Sequence, residues 1–133
     1  MTNLFKRFSR DESGSATVEF VLWLPMVLLA FGLTVDASMI FHSQSQVLRI
    51  VQDANRSASI GRLQTASEAE SYVETRLRKA SSAANATSTI NGGIITTTVT
   101  YPARDFQVLG LFQQFNDLQI TVNSEHLIEN WGA

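Results

Sequence analysis

The sequence contains no cysteine among its 133 residues, which excludes disulfide crosslinks, thiol nucleophiles and thiolate metal sites. Ten Lys and Arg against twelve Asp and Glu give a formal net charge of −2. Since no basic excess exists to follow a phosphate backbone, we expect no nucleic-acid partner. Charged residues make up 17% of the chain, below the roughly 25% of ordinary soluble domains. The deficit is localised, because residues 20–35 contain no Asp, Glu, Lys or Arg.

Motifs of common enzyme families are also missing. The chain has no glycine-rich phosphate loop, no Gly-x-Ser-x-Gly elbow and no His-Glu-x-x-His sequence. Its two histidines are His42, just beyond the apolar run, and His126, which with Glu125 and Glu129 could converge on a helical turn. Three such residues near a chain end are a weak metal signal, so we expect no metal, no cofactor, no small-molecule substrate and no enzymatic activity.

The apolar run is long enough to cross a membrane when it is counted from Ser15. Residues 15–35 form a helix of roughly 31 Å at about 1.5 Å per residue, against a hydrocarbon layer of about 30 Å. Lys6, Arg7 and Arg10 precede this run, so the positive-inside rule keeps the N-terminus cytoplasmic and sends the later residues outside. The predicted organisation is a leader over 1–14, a transmembrane helix over 15–36 and an external module over 37–133.

Two residues interrupt the apolar character of this segment. Glu19 lies about one turn inside the span, where a charge is costly and often functional, although a carboxylate at the headgroup boundary is an equal alternative. Pro25 removes one backbone donor and frees the carbonyl of Val21. It is either a tolerated kink or a flexible point used when the helix leaves lipid and packs among other helices.

The residues around Gly14 resemble a prepilin cleavage motif. A short basic leader ends at Gly14-Ser15, Glu19 and Phe20 follow, and the apolar run begins at once. The longer stretch from Phe8 to Asp36, with Leu24-Pro25 inside it, resembles the TadE-like family of Tad/Flp pilus assembly. In prepilins a membrane peptidase cuts after the glycine, so the resemblance implies that Glu19 would be the fifth mature residue and Phe20 the sixth.

This resemblance implies a non-enzymatic minor pilin or pseudopilin that contributes to pilus initiation or to a tip complex. It implies a prepilin peptidase that cuts between Gly14 and Ser15, and contacts with other pilins and with the Tad assembly platform. Glu19 would pair with the N-terminal amine of a neighbouring subunit, with Phe20 beside it. The implied location is the bacterial inner membrane, with a single pass and the C-terminal module in the periplasm.

Two other interpretations of the apolar segment remain open from the sequence. Val35-Asp36-Ala37 loosely resembles a signal-peptidase site, which would release a secreted binding protein that begins at Ser38. Against this, the run exceeds the usual h-region of about 7–15 residues. The chain could also stay uncut, as a single-pass component of a secretion assembly.

The remainder predicts an α+β module with a small antiparallel sheet of about three strands, and its long first helix resembles the spine of pilin-like proteins. Apolar residues at three- and four-residue spacings continue the first helix to Ser59, with Gly61 as its stop and Arg49 and Asp53 as an ion pair. A second helix is predicted after Thr65, which forms a capping box with Glu68, and its outer face carries a Glu74–Arg78 pair.

The region after the second helix changes to the two-residue period of strands. A loop is predicted over Ser81–Ser88, and a hairpin at Asn91-Gly92-Gly93 joins a short strand at Thr87–Ile90 to the run Ile94–Tyr101. A third strand is predicted around Leu118, Ile120 and Val122. Arg104-Asp105 is expected to form a solvated turn, and Trp131 is expected either to pack against the sheet or to be mobile. The segment between the second and third strands is an apolar connector that is expected mostly to cover the core, with Phe106, Val108, Leu109, Leu111, Phe112 and Phe115.

Overall fold

The computed structural model describes residues 13–111 and 118–129 and confirms the α+β class with one long N-terminal helix, a second helix and a three-stranded sheet. The elements are helix α1 (Ser13–Ser59), helix α2 (Ala66–Leu77), strand β1 (Asn85–Asn91), strand β2 (Ile94–Pro102), a 3-10 turn (Ala103–Phe106) and strand β3 (Gln119–Leu127). The chain divides into two units, one that ends at Thr34 and one that begins at Val35. Phe112, Phe115 and Trp131 lie outside the described residues.

The described part of the first unit consists of α1 alone. Its apolar side chains are exposed on every side of the helix, at Val18, Phe20, Val21, Leu22, Trp23, Leu24, Met26, Val27, Leu28, Leu29 and Phe31. Pro25 lies inside α1, and the helix continues through it. Among the described residues, α1 is the one helix whose length and apolar composition suffice to cross a membrane.

The second unit is built on an antiparallel sheet with the order β1-β2-β3. Ala86 pairs with Val99, which pairs in turn with Val122, so one apolar row crosses all three strands. Gly92 and Gly93 connect β1 to β2 with φ angles of 58° and 78°. These left-handed conformations suit a tight hairpin turn and favour glycine, as the sequence predicts.

One face of the sheet is covered by both helices. Val47, Val51 and Ala54 of α1 join Val73 and Leu77 of α2 in a single buried cluster with the apolar row of the sheet. A second cluster contains Ala58, Ala69 and Ile95. The continuation of α1 therefore supplies one wall of the core, which a module without disulfides needs because small domains bury a limited share of their surface.

Helix α2 begins with the predicted cap in a shifted form. The Thr65 hydroxyl accepts a hydrogen bond from the backbone N–H of Glu68 at 3.2 Å. The Glu68 carboxylate reaches back and accepts from the N–H of Gln64 at 2.7 Å, one residue before the cap. Both contacts satisfy backbone donors at a helix start that otherwise has no partners for them.

The predicted loop over Ser81–Ser88 is wrong in its second half, because β1 begins at Asn85. Two carboxylates of α2 bind this strand. Glu70 accepts from the N–H of Ser88 at 2.7 Å, and Glu74 accepts from the N–H of Ala86 at 3.4 Å. The start of β1 has the Ser, Ala and Asn composition typical of loops, but these contacts with α2 hold it extended.

Glu125, His126 and Glu129, which could have converged on a helical turn, do not do so. Strand β3 extends through Leu127, so Glu125 and His126 lie on it and point to opposite faces of the sheet. The third strand is therefore longer than the predicted core at Leu118, Ile120 and Val122.

Both predicted surface ion pairs are replaced by other contacts. Asp53 pairs with Arg76 at 3.4 Å rather than with Arg49, and Glu74 binds β1 instead of Arg78.

The predicted solvated turn at Arg104-Asp105 is a 3-10 turn in which Asp105 accepts a hydrogen bond from the Ser81 hydroxyl.

Candidate functional site

The residues that the sequence singles out for processing and assembly all lie in α1. Gly14 and Ser15 are within its first turn, and Glu19 lies four residues after Ser15, which places the two positions on the same side of the helix. Glu19 and Phe20 are exposed. Glu19 is the sole ionisable residue between positions 16 and 35, so the apolar surface of this stretch carries a single acidic group.

A second acidic residue follows this stretch, and the sequence predicts only that it marks the end of the span. Asp36 is fully buried. One carboxylate oxygen accepts from the N–H groups of Val108 and Leu109 at 2.9 and 2.8 Å, and the other accepts from the N–H of Leu111 at 2.8 Å. Hydrogen bonds to an ionised acceptor are about twice as strong as neutral ones, so Asp36 ties a distant loop to α1.

The loop can converge on one carboxylate because of its backbone shape. Gly110 has a φ of 69°, a left-handed conformation that favours glycine and turns the chain so that amides on both sides face Asp36. The side chains point elsewhere. Val108, Leu109 and Leu111 are 61%, 55% and 42% exposed.

The prediction that the apolar connector mostly covers the core is therefore wrong for the described part of that connector. Of its four described members, Phe106 alone packs on the core, where its ring lies edge-on to Tyr101 with 5.1 Å between centroids. The other three are the exposed loop residues that Asp36 holds.

A buried polar group joins α1 to all three strands, and sequence reasoning missed it. Asn55 is fully buried; its amide nitrogen donates to the carbonyl of Ser124 on β3 at 2.7 Å, and its amide oxygen accepts from the hydroxyl of Thr97 on β2 at 2.6 Å. Thr97 in turn lies 2.9 Å from the hydroxyl of Ser88 on β1. The sequence signal that could have found this group is the position of Asn55, an amide that lies four residues after Val51 on the apolar stripe of α1.

Ser59, at the end of α1, makes a similar contact. Its hydroxyl donates to the carbonyl of Leu127 at 2.7 Å and accepts from the N–H of Glu129 at 3.4 Å. Together with Asn55, Ser59 fixes both the rotation and the height of α1 on the sheet, because each bond requires a particular side chain opposite a particular carbonyl.

A polar cluster lies where α1 meets α2. The Tyr72 hydroxyl donates to Asp53 at 2.5 Å, and the Arg76 guanidinium lies 4.2 Å from the centre of the Tyr72 ring. Burial, assisted by the neighbouring Asp53 carboxylate, raises the pKa of Tyr72, so the phenol stays protonated and remains a donor at neutral pH.

The histidines do not form a metal centre with other described residues. His42 lies 2.8 Å from Gln46 on the exposed side of α1. His126 borders a shallow groove of about 460 Å³ together with Arg49, Arg56 and Glu125. Within residues 13–111 and 118–129, no three His, Asp or Glu side chains are grouped so that they could hold a metal ion.

Comparison with known proteins gives one finding. Residues 14–56 match the model of the TadE-like protein family. The match begins at Gly14 rather than at Phe8, where the sequence resemblance started, and extends beyond Asp36 to Arg56. It lies entirely within α1, while α2 and the sheet are outside it.

Comparison with curated proteins and with solved structures gave no significant match. The similarity to this family therefore covers part of the first helix alone, about a third of the chain. Members of that family are structural components of pilus assembly, and the family is not a known enzyme family. The chain therefore carries a region over residues 14–56 that is similar to the TadE-like family.

Proposed function

We propose that the protein is a minor pilin or pseudopilin that contributes to the initiation or tip complex of a Tad/Flp pilus. The observation that carries this proposal is the position of the family match, which starts at Gly14 and lies on one continuous helix. Residues 16–31 of that helix expose apolar side chains, with Glu19 as the one acidic residue among them. The N-terminus is cytoplasmic, residues 15–36 cross the inner membrane, and the module is periplasmic.

Processing by a prepilin peptidase between Gly14 and Ser15 is the first step of this function. Glycine has no side chain to hinder a close approach of the peptidase to the scissile bond. The cut would create an ammonium group on Ser15, and it would also remove the basic leader that precedes the span.

Assembly then depends on Glu19. A carboxylate in a low-dielectric environment is costly unless an opposite charge lies close to it. The Ser15 ammonium of a neighbouring pilin-type subunit is the proposed partner, with Phe20 packing beside the pair. Such a pair sets the axial position of one helix against the next, and Pro25 gives the helix a flexible point as it leaves lipid. Other pilins and the Tad assembly platform are the expected partners.

The geometry of Asp36 favours this proposal over a secreted protein. Signal-peptide cleavage before Ser38 would remove Asp36, whose carboxylate binds three backbone amides of the module. Those amides would then lose their acceptor, so we expect the mature chain to retain residue 36.

N-terminal sequencing of the protein extracted from membranes tests the processing step. Ser15 as the first residue supports the proposal. Ser38 would instead indicate signal-peptide removal, and Met1 or Thr2 would indicate an uncut anchor of a secretion assembly; either result contradicts it.

The assembly step is tested with Glu19→Ala and with Thr17→Ala as the matched control, since Thr17 is an exposed neighbour on the same helix. We expect both variants to insert into the membrane and only Glu19→Ala to lose co-purification with the major pilin and the assembly platform. Normal co-purification of Glu19→Ala would refute the role of the carboxylate.

A further inference from the structure

The loop held by Asp36 exposes apolar side chains while the backbone N–H groups of the same residues are bound. Val108, Leu109 and Leu111 are each more than two-fifths exposed, yet their N–H groups all bind the Asp36 carboxylate. Irregular backbone enters a lipid environment only when its polar groups have partners within the protein. In this loop the amides of the three residues meet that requirement.

The attachment point of the loop determines its height along α1. Asp36 is the first charged residue after the uncharged run of residues 20–35, and its contacts hold the loop at the level where the proposed span ends. A carboxylate is tolerated at this level better than in the middle of the bilayer. The loop is therefore held beside residue 36, where the proposed span ends.

The opposite end of the sheet lies far from this level. Ser59 binds Leu127, Leu127 pairs with Ile94 beside the Gly92-Gly93 turn, and 23 residues of helix between positions 36 and 59 correspond to about 35 Å. Thus the hairpin turn marks the distal end of the module, and the loop marks its proximal end.

We propose that residues 108–111 form a second membrane contact, in which Val108, Leu109 and Leu111 insert into the outer leaflet of the same inner membrane that α1 crosses. The occupant of this surface is lipid because the loop is continuous, through Asp36, with the end of the proposed span. Apolar side chains of interfacial segments reach about 5–10 Å into the boundary between headgroups and acyl chains. The inference rests on the membrane anchoring that is part of the proposed function.

The absence of cysteine makes a site-specific test possible, since each introduced cysteine is the only one to label. Leu109→Cys in the full chain is labelled with the environment-sensitive fluorophore NBD and reconstituted into phosphatidylethanolamine and phosphatidylglycerol vesicles. We expect a blue-shifted emission and a loss of fluorescence with nitroxide lipids, larger for a nitroxide near the headgroup than for one deep in the acyl chain.

Two labelled positions serve as controls. Leu28→Cys, within the span, should be quenched more by the deep nitroxide, and Asn91→Cys, at the distal turn, should remain unquenched. If Leu28 is quenched and Leu109 is not, the second contact is wrong while the anchoring stands. If Leu28 is also unquenched, both the anchoring and the second contact are wrong.

A blue shift at Leu109 without any nitroxide quenching would show that protein rather than lipid covers the loop, and would overturn the proposal.

The link to Asp36 is tested by Asp36→Asn in the Leu109→Cys background. An amide cannot offer acceptors to all three N–H groups, so quenching at Leu109 should fall while Asn91 remains unquenched. Unchanged quenching would show that Asp36 does not position the loop.

Discussion

Two stretches of the same helix use apolar side chains in opposite ways. Residues 16–31 of α1 expose them on every side, whereas residues 47–58 bury one stripe, Val47, Val51, Ala54 and Ala58, against the sheet and α2. A helix that is apolar all round requires lipid or other helices, while a helix with one apolar stripe suits the surface of a folded domain. The distribution of side chains around α1, rather than its helical form, thus distinguishes an anchor from a core element.

The polar residues inside each stretch differ in the same manner. Asn55 finds all its partners within the chain, on strands β2 and β3. Glu19 is exposed on the apolar stretch, and the proposed partner comes from another subunit. A polar residue that the fold satisfies contributes to stability, and one that the fold leaves exposed in an apolar segment is available for assembly.

The largest expected effect is on the stability of the module, and it is tested by placing an aspartate in one stretch at a time. Val51→Asp buries a carboxylate in the core at a cost of several kcal/mol, comparable with the roughly 5–15 kcal/mol that stabilises a whole domain. We expect this variant to lose the cooperative unfolding transition of the module, measured by circular dichroism of the full chain in detergent.

The matched variant is Val27→Asp, in the exposed stretch. It should leave the unfolding transition in place but make the free energy of membrane insertion less favourable by about 2.5–3.5 kcal/mol on insertion scales. The smaller fraction of inserted protein is measured by carbonate extraction. The distinction between the two stretches fails if Val27→Asp abolishes the transition or if Val51→Asp does not.

An intermediate effect is expected at Asn55. Asn55→Ala removes the acceptor of the Thr97 hydroxyl and the donor to the Ser124 carbonyl, and a buried polar group without a partner costs about 1–3 kcal/mol. Denaturant unfolding of the full chain should show this loss. The control Gln52→Ala, at an exposed position of the same helix, should change the free energy of unfolding by less than about 0.5 kcal/mol; equal effects would mean that the buried network adds no stability.

The smallest effect concerns the surface contacts of α1. Arg76→Ala removes a half-exposed ion pair with Asp53 and the contact with the Tyr72 ring, together worth about 0.5–1 kcal/mol. Arg49→Ala should change the free energy of unfolding by less, although the sequence paired Arg49 with Asp53. Added salt should narrow the difference between these variants, and a larger loss for Arg49→Ala would favour the pair that the sequence predicted.

Features that depend on neighbouring residues were predictable from the sequence. The period of apolar residues gave the end of α1 at Ser59, the threonine before α2 gave its cap, and Asn91-Gly92-Gly93 gave the hairpin. Each reflects a local preference: a helical stripe, a side-chain acceptor for an early N–H, or a glycine at positive φ.

Features that depend on distant residues were not predictable. The partner of Asn55 on β3 lies 69 residues away, and the amides that bind Asp36 lie 72 to 75 residues away. Nothing in the local sequence distinguishes such an acid or amide from one on the surface. The early start of β1 depends in the same way on Glu70 and Glu74, so composition alone indicated a loop.

The contacts of Glu70, Glu74 and Asn55 have one more consequence. Strands β1 and β3 are the two margins of the sheet, where free backbone groups invite strand addition by another molecule. Carboxylates from α2 occupy two amides along one margin, and an amide from α1 occupies a carbonyl along the other. This arrangement leaves fewer free backbone groups at the margins and so disfavours pairing of the sheet with the sheet of another copy.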